Sequence, residues 1–442
     1  MEKIRKTVMV KQLKKIKSLC FIAAVFRGFF RKSYIFFLLC KMRLMGLFLT
    51  YDRPDVTVVG DIKEADGIGR LPIEVIDSLS DDFSINFLNT RACHFADVSS
   101  KVKNIAKRPF HVFGKNILFQ DAPVQIGFYL YKMLGKKRQD DQVRIAHSMF
   151  ETTQIPHEWV GALNSHFDCV VVPDPFLVKV YQNSGVKLPI FTIPLGLAHL
   201  DQYVQKPLKN HANHPFVFAN YGSISARKNQ MTIIRAFAQA FGNSDQVFLK
   251  IQGRYFDSAV LAEMQNEVLI SKLQNVTIFT KCLSQEEYFK AFCNIDCYVN
   301  LSFGEGFSIQ PREAMALGLP VILSDNTAQS TMCRSGLVES VPAPILQAAM
   351  YSDGKRYGDY YSCTIQDAAD AMKRVYSNYE HHLKKADLRR RWASKYQQKN
   401  ITPLYKTLIK PKKVALAEEN HIDAECLTTN SKSLFLKQVS RI

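Results

Sequence analysis

The chain has 442 residues, 47% of them hydrophobic and 11% aromatic, which suffices for two or three cored domains and excludes wholesale disorder. Its ten cysteines are scattered without a CxxC pair, and Cys293 and Cys297 lack the partners a zinc site needs. They read as reduced thiols packed as small apolar residues, which points to a cytosolic setting. Of the net charge of +18, +11 lies in residues 1–50, where twelve lysines and arginines face Glu2 alone. The remainder is only mildly basic, and no nucleic-acid partner is expected.

That first segment also carries the apolar runs Leu19–Phe26, Tyr34–Cys40 and Leu44–Thr50, interrupted by Arg27, Arg31–Lys32 and Lys41–Arg43. Each run stops short of the roughly 20 residues a membrane span needs. Phe29-Phe30-Arg31-Lys32 is a poor signal-peptidase site. Residues 1–50 therefore read either as an interfacial anchor on an anionic cytoplasmic leaflet or as an amphipathic lead-in helix packed on the first lobe.

Val56–Gly60 is a β-branched run ending in glycine, the profile of a buried parallel strand. The loop Asp66-Gly67-Ile68-Gly69 follows, then an amphipathic helix around Leu71–Leu79. Ser84–Asn89, Val143–Ala146 and Phe167–Val172 read as further strands. Pro173-Asp174-Pro175 closes the last of these, a helix runs to about Asn183, and Pro189–Ile193 completes the lobe. The polar stretch Gln205–Pro215 reads as a linker. A second alternating set comprises strands at Phe216–Tyr221, Gln246–Gln252, Val276–Phe279, Asp296–Leu301 and Pro320–Ser324. Helices are expected at Gln230–Phe241, Ala259–Leu273, Gln285–Asn294, Pro311–Leu317, Ile365–Tyr379 and His381–Tyr396. The fold class is α/β, with two Rossmann-like doubly wound domains at 51–205 and 206–400 facing across a cleft. Residues 401–442 are expected to hold a crossing segment and, beyond Pro411, a basic, poorly ordered tail.

The sharpest chemical signal runs from Glu305-Gly306-Phe307-Ser308-Ile309-Gln310-Pro311-Arg312-Glu313 into Ala314-Met315-Ala316-Leu317-Gly318-Leu319-Pro320-Val321-Ile322. A loop after a strand carries Glu305, Pro311 suits the first helical position, Glu313 falls in the first turn, and Gly318 suits the stop. Amides from Gly306 to Ser308 at a helix N-terminus suit a diphosphate, and carboxylates on either side suit neutral hydroxyls. A second element, Asn220-Tyr221-Gly222-Ser223-Ile224-Ser225-Ala226-Arg227-Lys228-Asn229, follows the first strand of the second lobe. Gly222 permits close approach to phosphates, while Arg227 and Lys228 supply cations for a departing diphosphate.

The string from Glu305 to Ile322 resembles the retaining glycosyltransferases of family 4, with the two-lobed GT-B fold. The resemblance covers roughly residues 56–410 and is most specific over 300–325. It implies that Glu305 contacts the donor sugar and Glu313 the ribose hydroxyls, with Gly222, Ser223, Gly306, Phe307 and Ser308 around the donor. Lys228 matches the family's lysine. Ser223 stands where an arginine is usual, and Arg227 is its substitute. Gly67 and Gly69 match the loop that approaches donor phosphate or acceptor. In Ile145-Ala-His147-Ser-Met-Phe150-Glu151-Thr152-Thr153 the family's histidine near the donor sugar corresponds to His147, with Phe150 and Glu151 as alternatives; Glu151 joins His147 among the catalytic candidates. Pro194-Leu195-Gly196-Leu197 is the crossing between lobes.

The resemblance implies transfer of a hexose from a nucleotide-diphosphate sugar with retention. The sequence holds no Asp-x-Asp motif that would suggest a metal-bridged donor, so no metal or other cofactor is expected, and the basic, apolar N-terminus points to an acceptor such as a growing envelope polysaccharide or glycolipid. The expected setting is cytoplasmic, peripheral on a membrane's inner face. The alternatives are a silent nucleotide-sugar-binding protein, or an epimerase or phosphorylase on the same fold.

Overall fold

The computed structural model describes Ser33 and residues 52–62, 67–90, 98–110, 112–126, 142–197, 215–351 and 353–409. The rest of the basic N-terminal segment, the linker up to His214 and the tail from residue 410 lie outside the described residues. No helix among the described residues is long and apolar enough to cross a membrane.

Two six-stranded parallel sheets form the frame. The first contains β1 (Val56–Gly60), β2 (Ile85–Asn89), β3 (Asn116–Phe119), β4 (Val143–His147), β5 (Cys169–Val172) and β6 (Ile190–Thr192) in the order β2-β1-β3-β4-β5-β6. The second contains β7 (Phe216–Tyr221), β8 (Val247–Gln252), β9 (Val276–Phe279), β10 (Cys297–Asn300), β11 (Val321–Asp325) and β12 (Glu339–Pro342), ordered β12-β11-β10-β7-β8-β9. Val56–Gly60 is buried at every position, as a strand covered by helices on both faces must be. The strands expected from sequence all form, within two residues at each end.

Topology decides where chemistry can sit. In the second sheet the chain runs outward from β7 to β8 and β9, then returns to place β10 on the other side of β7. The loops after β7 and β10 therefore diverge from neighbouring strands and leave a crevice at their carboxyl ends, the switch point where open α/β sheets bind ligands. Those loops carry Arg227, Lys228 and Glu305.

Several elements depart from the sequence reading. The expected loop at Gly67 and Gly69 is instead the first turn of the helix Gly67–Leu79, which begins four residues before the expected Leu71. The helix Ile309–Ala316 starts two residues before Pro311, capped by Ser308 in the left-handed region. Pro311 is thus third in the helix, where its missing N–H still costs no internal hydrogen bond, and Glu313 falls in the second turn. Gly318 ends this helix at φ +83, as its position suggested. The helix expected at His381–Tyr396 is broken into Tyr379–Lys384, Ala386–Ala393 and a short 3-10 turn.

The chain crosses between lobes twice. Pro194–Leu197 leads out of the first, and the helix Gln398–Ile409 returns to pack on the helix Gly67–Leu79. Leu71, Leu195, Leu197, Phe307, Tyr396, Ile401 and Tyr405 belong to one buried apolar cluster that joins the lobes. Burying each such side chain contributes about 1.5–3 kcal/mol.

Candidate active site

At the carboxyl edge of the second sheet, Glu305 is 5% exposed and held by three neighbours. Its Oε1 accepts from Lys228 Nζ at 2.6 Å and from the Ser302 hydroxyl at 2.6 Å, and its Oε2 accepts from Arg227 Nη1 at 3.1 Å. Burial alone raises the carboxyl pKa, but Lys228 and Arg227 outweigh it and bring it down to about 2. Glu305 is therefore an anion at every working pH. Lys228 is pulled below the usual lysine range by burial, which Glu305 opposes. Burial also acts against the charged form of Arg227, but Glu305 and Glu151 reverse that and raise it.

The backbone explains how these groups meet. Phe303 N–H donates to the Arg227 carbonyl at 2.9 Å, stitching the loop after β10 to the loop after β7. Asn229, left-handed at φ 54, closes the 3-10 turn Ala226–Lys228 and donates from Nδ2 to the Leu301 carbonyl at 3.0 Å. Arg227 Nη1 also donates to the Gly304 carbonyl at 2.6 Å. Arg227, not the exposed Ser223, thus stands beside Lys228. Gly222, at φ +155, has nothing within 4 Å of where a Cβ would project, so that stretch of backbone lies open to a ligand.

The second carboxylate of the motif has a different set of partners. Glu313 is fully buried, with Oε1 accepting from Arg70 Nη1 of the first lobe at 2.8 Å and Oε2 from the Tyr288 hydroxyl at 2.6 Å. Arg312, next to it, is also fully buried and reaches across the lobes to Asp174, with 2.6 Å between Nη2 and Oδ2. Its guanidinium lies 4.0 Å from the centroid of the Phe307 ring. Asp174 caps the helix Pro175–Asn183 through the Phe176 amide. Within the motif Arg312 read as one more polar letter; only the fold gives it a partner 138 residues away.

From the first lobe, the loop after β4 supplies the facing wall. Glu151 Oε1 sits 3.5 Å from Arg227 Nη2. Gly304 and Gly306 are there because nothing larger fits. A Cβ on Gly304 would lie 2.1 Å from the Glu151 carbonyl oxygen, and one on Gly306 2.3 Å from Met149 Cγ. Of the three candidates in this loop, Glu151 is the one brought to the Glu305 cluster. Phe150 packs into the first-lobe core against Trp159, with centroids 5.3 Å apart. His147 ends β4, and burial lowers its pKa to about 3, which keeps it neutral. Its Nε2 is buried with no hydrogen-bond partner among the described residues. Gly67 and Gly69 lie in the first helical turn with Arg70, which directly follows Gly69 and contacts Glu313.

Sequence reasoning missed three parts of this region. One is the Arg312–Asp174 pair. Another is Glu74, whose buried Oε2 accepts from the Gly196 amide at 2.8 Å where the chain leaves the first lobe. The third is an antiparallel hairpin, β13 (Ile345–Met350) with β14 (Arg356–Ser362), that belongs to neither large sheet. Its aromatic content was its visible signal, with tyrosines at 351, 357, 360 and 361.

Comparison with known proteins follows the same lines. Residues 203–338 match the family model described as "Glycosyl transferases group 1". An uncharacterized glycosyltransferase of Methanocaldococcus jannaschii is 29% identical over 157 residues, a stretch that covers 36% of this chain and 36% of that protein. Among solved structures, a glycosyltransferase from Rickettsia africae superposes with a TM-score of 0.59 at 13% identity, covering 82% of this chain and 99% of its own. Alr3699/HepE of Anabaena, crystallised with UDP and glucose, gives 0.56 at 12% identity, covering 80% and 99%. The fold is the two-lobed GT-B fold of these structures, and together with the matched segment it supports a GT-B glycosyltransferase.

Proposed function

We propose that this protein is a retaining glycosyltransferase that moves a hexose from a nucleotide-diphosphate sugar to a growing envelope polysaccharide or glycolipid. The observation that carries this reading is the Glu305–Lys228–Arg227 cluster at the sheet switch point, inside the segment that matches the group 1 family. The Anabaena neighbour, bound to UDP and glucose, favours a nucleotide-sugar donor.

In this reading the donor diphosphate lies along Gly222 and the amides of Gly306, Phe307 and Ser308. Ser223 borders it, and Glu313 takes the ribose hydroxyls once Arg70 yields. The bond from the anomeric carbon to the diphosphate oxygen breaks while the acceptor oxygen bonds to the same face of that carbon. The acceptor's proton passes to the departing phosphate oxygen, so no separate base is required. Arg227 and Lys228 neutralise the charge that develops on the diphosphate, the role a metal ion serves elsewhere, and the reaction proceeds without one. Glu305, anionic throughout, holds both cations and accepts from a sugar hydroxyl. Glu151 and the turn at Gly67 and Gly69 serve the acceptor side, and His147, as a neutral imidazole, accepts or donates one hydrogen bond near the sugar. Residues 1–50 dock the enzyme on the anionic cytoplasmic face of a membrane that carries the acceptor.

The test is thermal protection of the full-length protein by UDP-, GDP- and ADP-hexoses, with Glu313→Ala as control. A ligand at a hundredfold its Kd stabilises by roughly 2.7 kcal/mol, a shift readily seen. Protection by one donor, lost in the variant, supports the reading. Protection by none refutes it and leaves a silent relative of the fold.

A further inference from the structure

The hairpin β13–β14 is not needed to complete either Rossmann-like lobe, yet it reaches the centre of the site. It is rooted in the second lobe, where Tyr361 N–H donates to the Phe303 carbonyl at 2.9 Å. Its far end grips the first lobe. The Thr152 hydroxyl donates to the Tyr357 carbonyl at 2.6 Å, Asp359 N–H donates to Thr153 Oγ1 at 2.9 Å, and Lys355 pairs with Glu158 at 2.8 Å. Gly358 makes this approach: it is left-handed at φ +67, and a Cβ there would lie 2.5 Å from Thr153 Oγ1.

Between root and tip runs a file of rings. Phe150 stacks on Tyr351 with centroids 5.2 Å apart and planes at 15°, Tyr351 faces Tyr360 at 6.4 Å, and Tyr360 lies 6.3 Å from Phe303. The Tyr351 hydroxyl donates to Glu151 Oε2 at 3.2 Å. A single guanidinium then separates two carboxylates, since Arg227 turns Nη1 to Glu305 and Nη2 to Glu151.

The two carboxylates are not equivalent. Glu305 is buried and makes three contacts, two of them at 2.6 Å. Glu151 is half-buried, with one long hydrogen bond and one long ion pair among the described residues, and an ionised carboxylate accepts at about four positions. A carboxylate with spare acceptor capacity beside half-buried tyrosine rings matches the chemistry of a pyranose. Such a ring offers hydroxyls to the anion and an apolar C–H face to an aromatic plane.

Resting on the transferase reading above, we infer that Glu151, Tyr351 and Tyr360 form a seat for the acceptor's terminal pyranose. It lies across Arg227 from the seat of the donor sugar at Glu305. Two sugars must meet for one to be transferred to the other, and two carboxylates held by the two terminal nitrogens of one guanidinium provide adjoining seats. Tyr351 is a positioning residue that acts through Glu151, and the ring of Tyr360 is the platform. The acceptor seat is thus shared between the lobes, and the hairpin supplies its second-lobe half.

The test is saturation-transfer NMR on the full-length protein, using methyl glucopyranosides, galactopyranosides and mannopyranosides in the presence of UDP, GDP or ADP. Tyr360→Phe keeps the ring and should bind the same glycoside as the unmodified protein. Tyr360→Leu, which fills the space without a flat face, should weaken it at least fivefold, and Tyr351→Phe about threefold. Nucleotide affinity, measured on the same samples, should stay within twofold and shows that each variant is folded. If the protein binds a nucleotide but no glycoside, or if Tyr360→Leu binds glycoside as well as Tyr360→Phe, the seat is refuted while the transferase reading stands. If it binds no nucleotide, that reading fails and the acceptor seat with it.

Discussion

Removing the Arg312 charge should separate the lobes energetically before it affects any ligand. Arg312 and Asp174 are 0% and 1% exposed, their closest atoms are 2.6 Å apart, and each belongs to a different lobe. Asp174 also accepts from the Phe176 amide and from Thr331 Oγ1 at 2.9 Å, so its carboxylate has partners that survive the change. Breaking a buried pair by deleting one member costs about 3–5 kcal/mol, because the other charge is left in a poor solvent. Arg312→Met keeps an unbranched apolar stem but removes the guanidinium, and with it the contact with the Phe307 ring and the bonds to the Ser308 and Ala328 carbonyls as well as the charge. Burial already raises the pKa of Asp174 against the pull of Arg312, and without the arginine it rises further. Asp174→Asn keeps an oxygen for the Phe176 amide and should cost a similar amount, while the double variant should cost much less than the two together. Urea denaturation of the four proteins reads the coupling. Single losses that add within about 0.5 kcal/mol would show the residues to be independent and refute the pairing.

Three more outcomes follow from the geometry. Burial raises Glu74 from 4.5 to about 8, so the native state holds a proton there that the unfolded chain releases. Its contribution is complete below about pH 4.5 and lost as pH rises through 8, by roughly 3–5 kcal/mol at most; Glu74→Gln should flatten the pH dependence of Tm across that window, and an unchanged slope counts against it. Gly304→Ala puts a methyl group 2.1 Å from the Glu151 carbonyl oxygen, a clash with backbone that forces the lobes apart by about an ångström. Misplacement on that scale costs about a hundredfold in rate; nucleotide affinity should survive, and undiminished turnover would contradict the closed geometry. Arg70→Met releases Glu313 from its first-lobe partner, so Tm should fall while nucleotide affinity rises severalfold, and calorimetric titration with UDP, GDP and ADP that found weaker binding would reverse that assignment.

What the sequence disclosed, and what it hid, follows from where the information resides. The strands were legible because Val56–Gly60, Cys169–Val172 and Cys297–Asn300 are short apolar runs bounded by breakers, and burial on both faces demands that composition. Lys228 and Glu305 were legible as residue types in strings whose loops follow strands. The hairpin was not, because Ile345–Met350 shows no polar alternation and exposes five of its six residues, so neither periodicity nor burial marks it as a strand. The strand Asn116–Phe119 was missed as well. Pro311 misdirected the helix start, since a proline is accepted at the third position as well as the first. Glu74 and Arg312 drew no reading of their own from the sequence; each is buried against segments far away in the chain, Gly196 and Asp174, which no local window contains.

The most direct test of the central claim is phosphorus NMR of donor breakdown by the full-length protein. UDP-, GDP- and ADP-hexoses would be supplied one at a time, with Glu305→Ala alongside. Release of a nucleoside diphosphate from one donor, reduced at least a hundredfold in Glu305→Ala while that nucleotide still binds, is the predicted result. Release that persists undiminished without Glu305 would contradict the assignment of this cluster as the centre of sugar transfer.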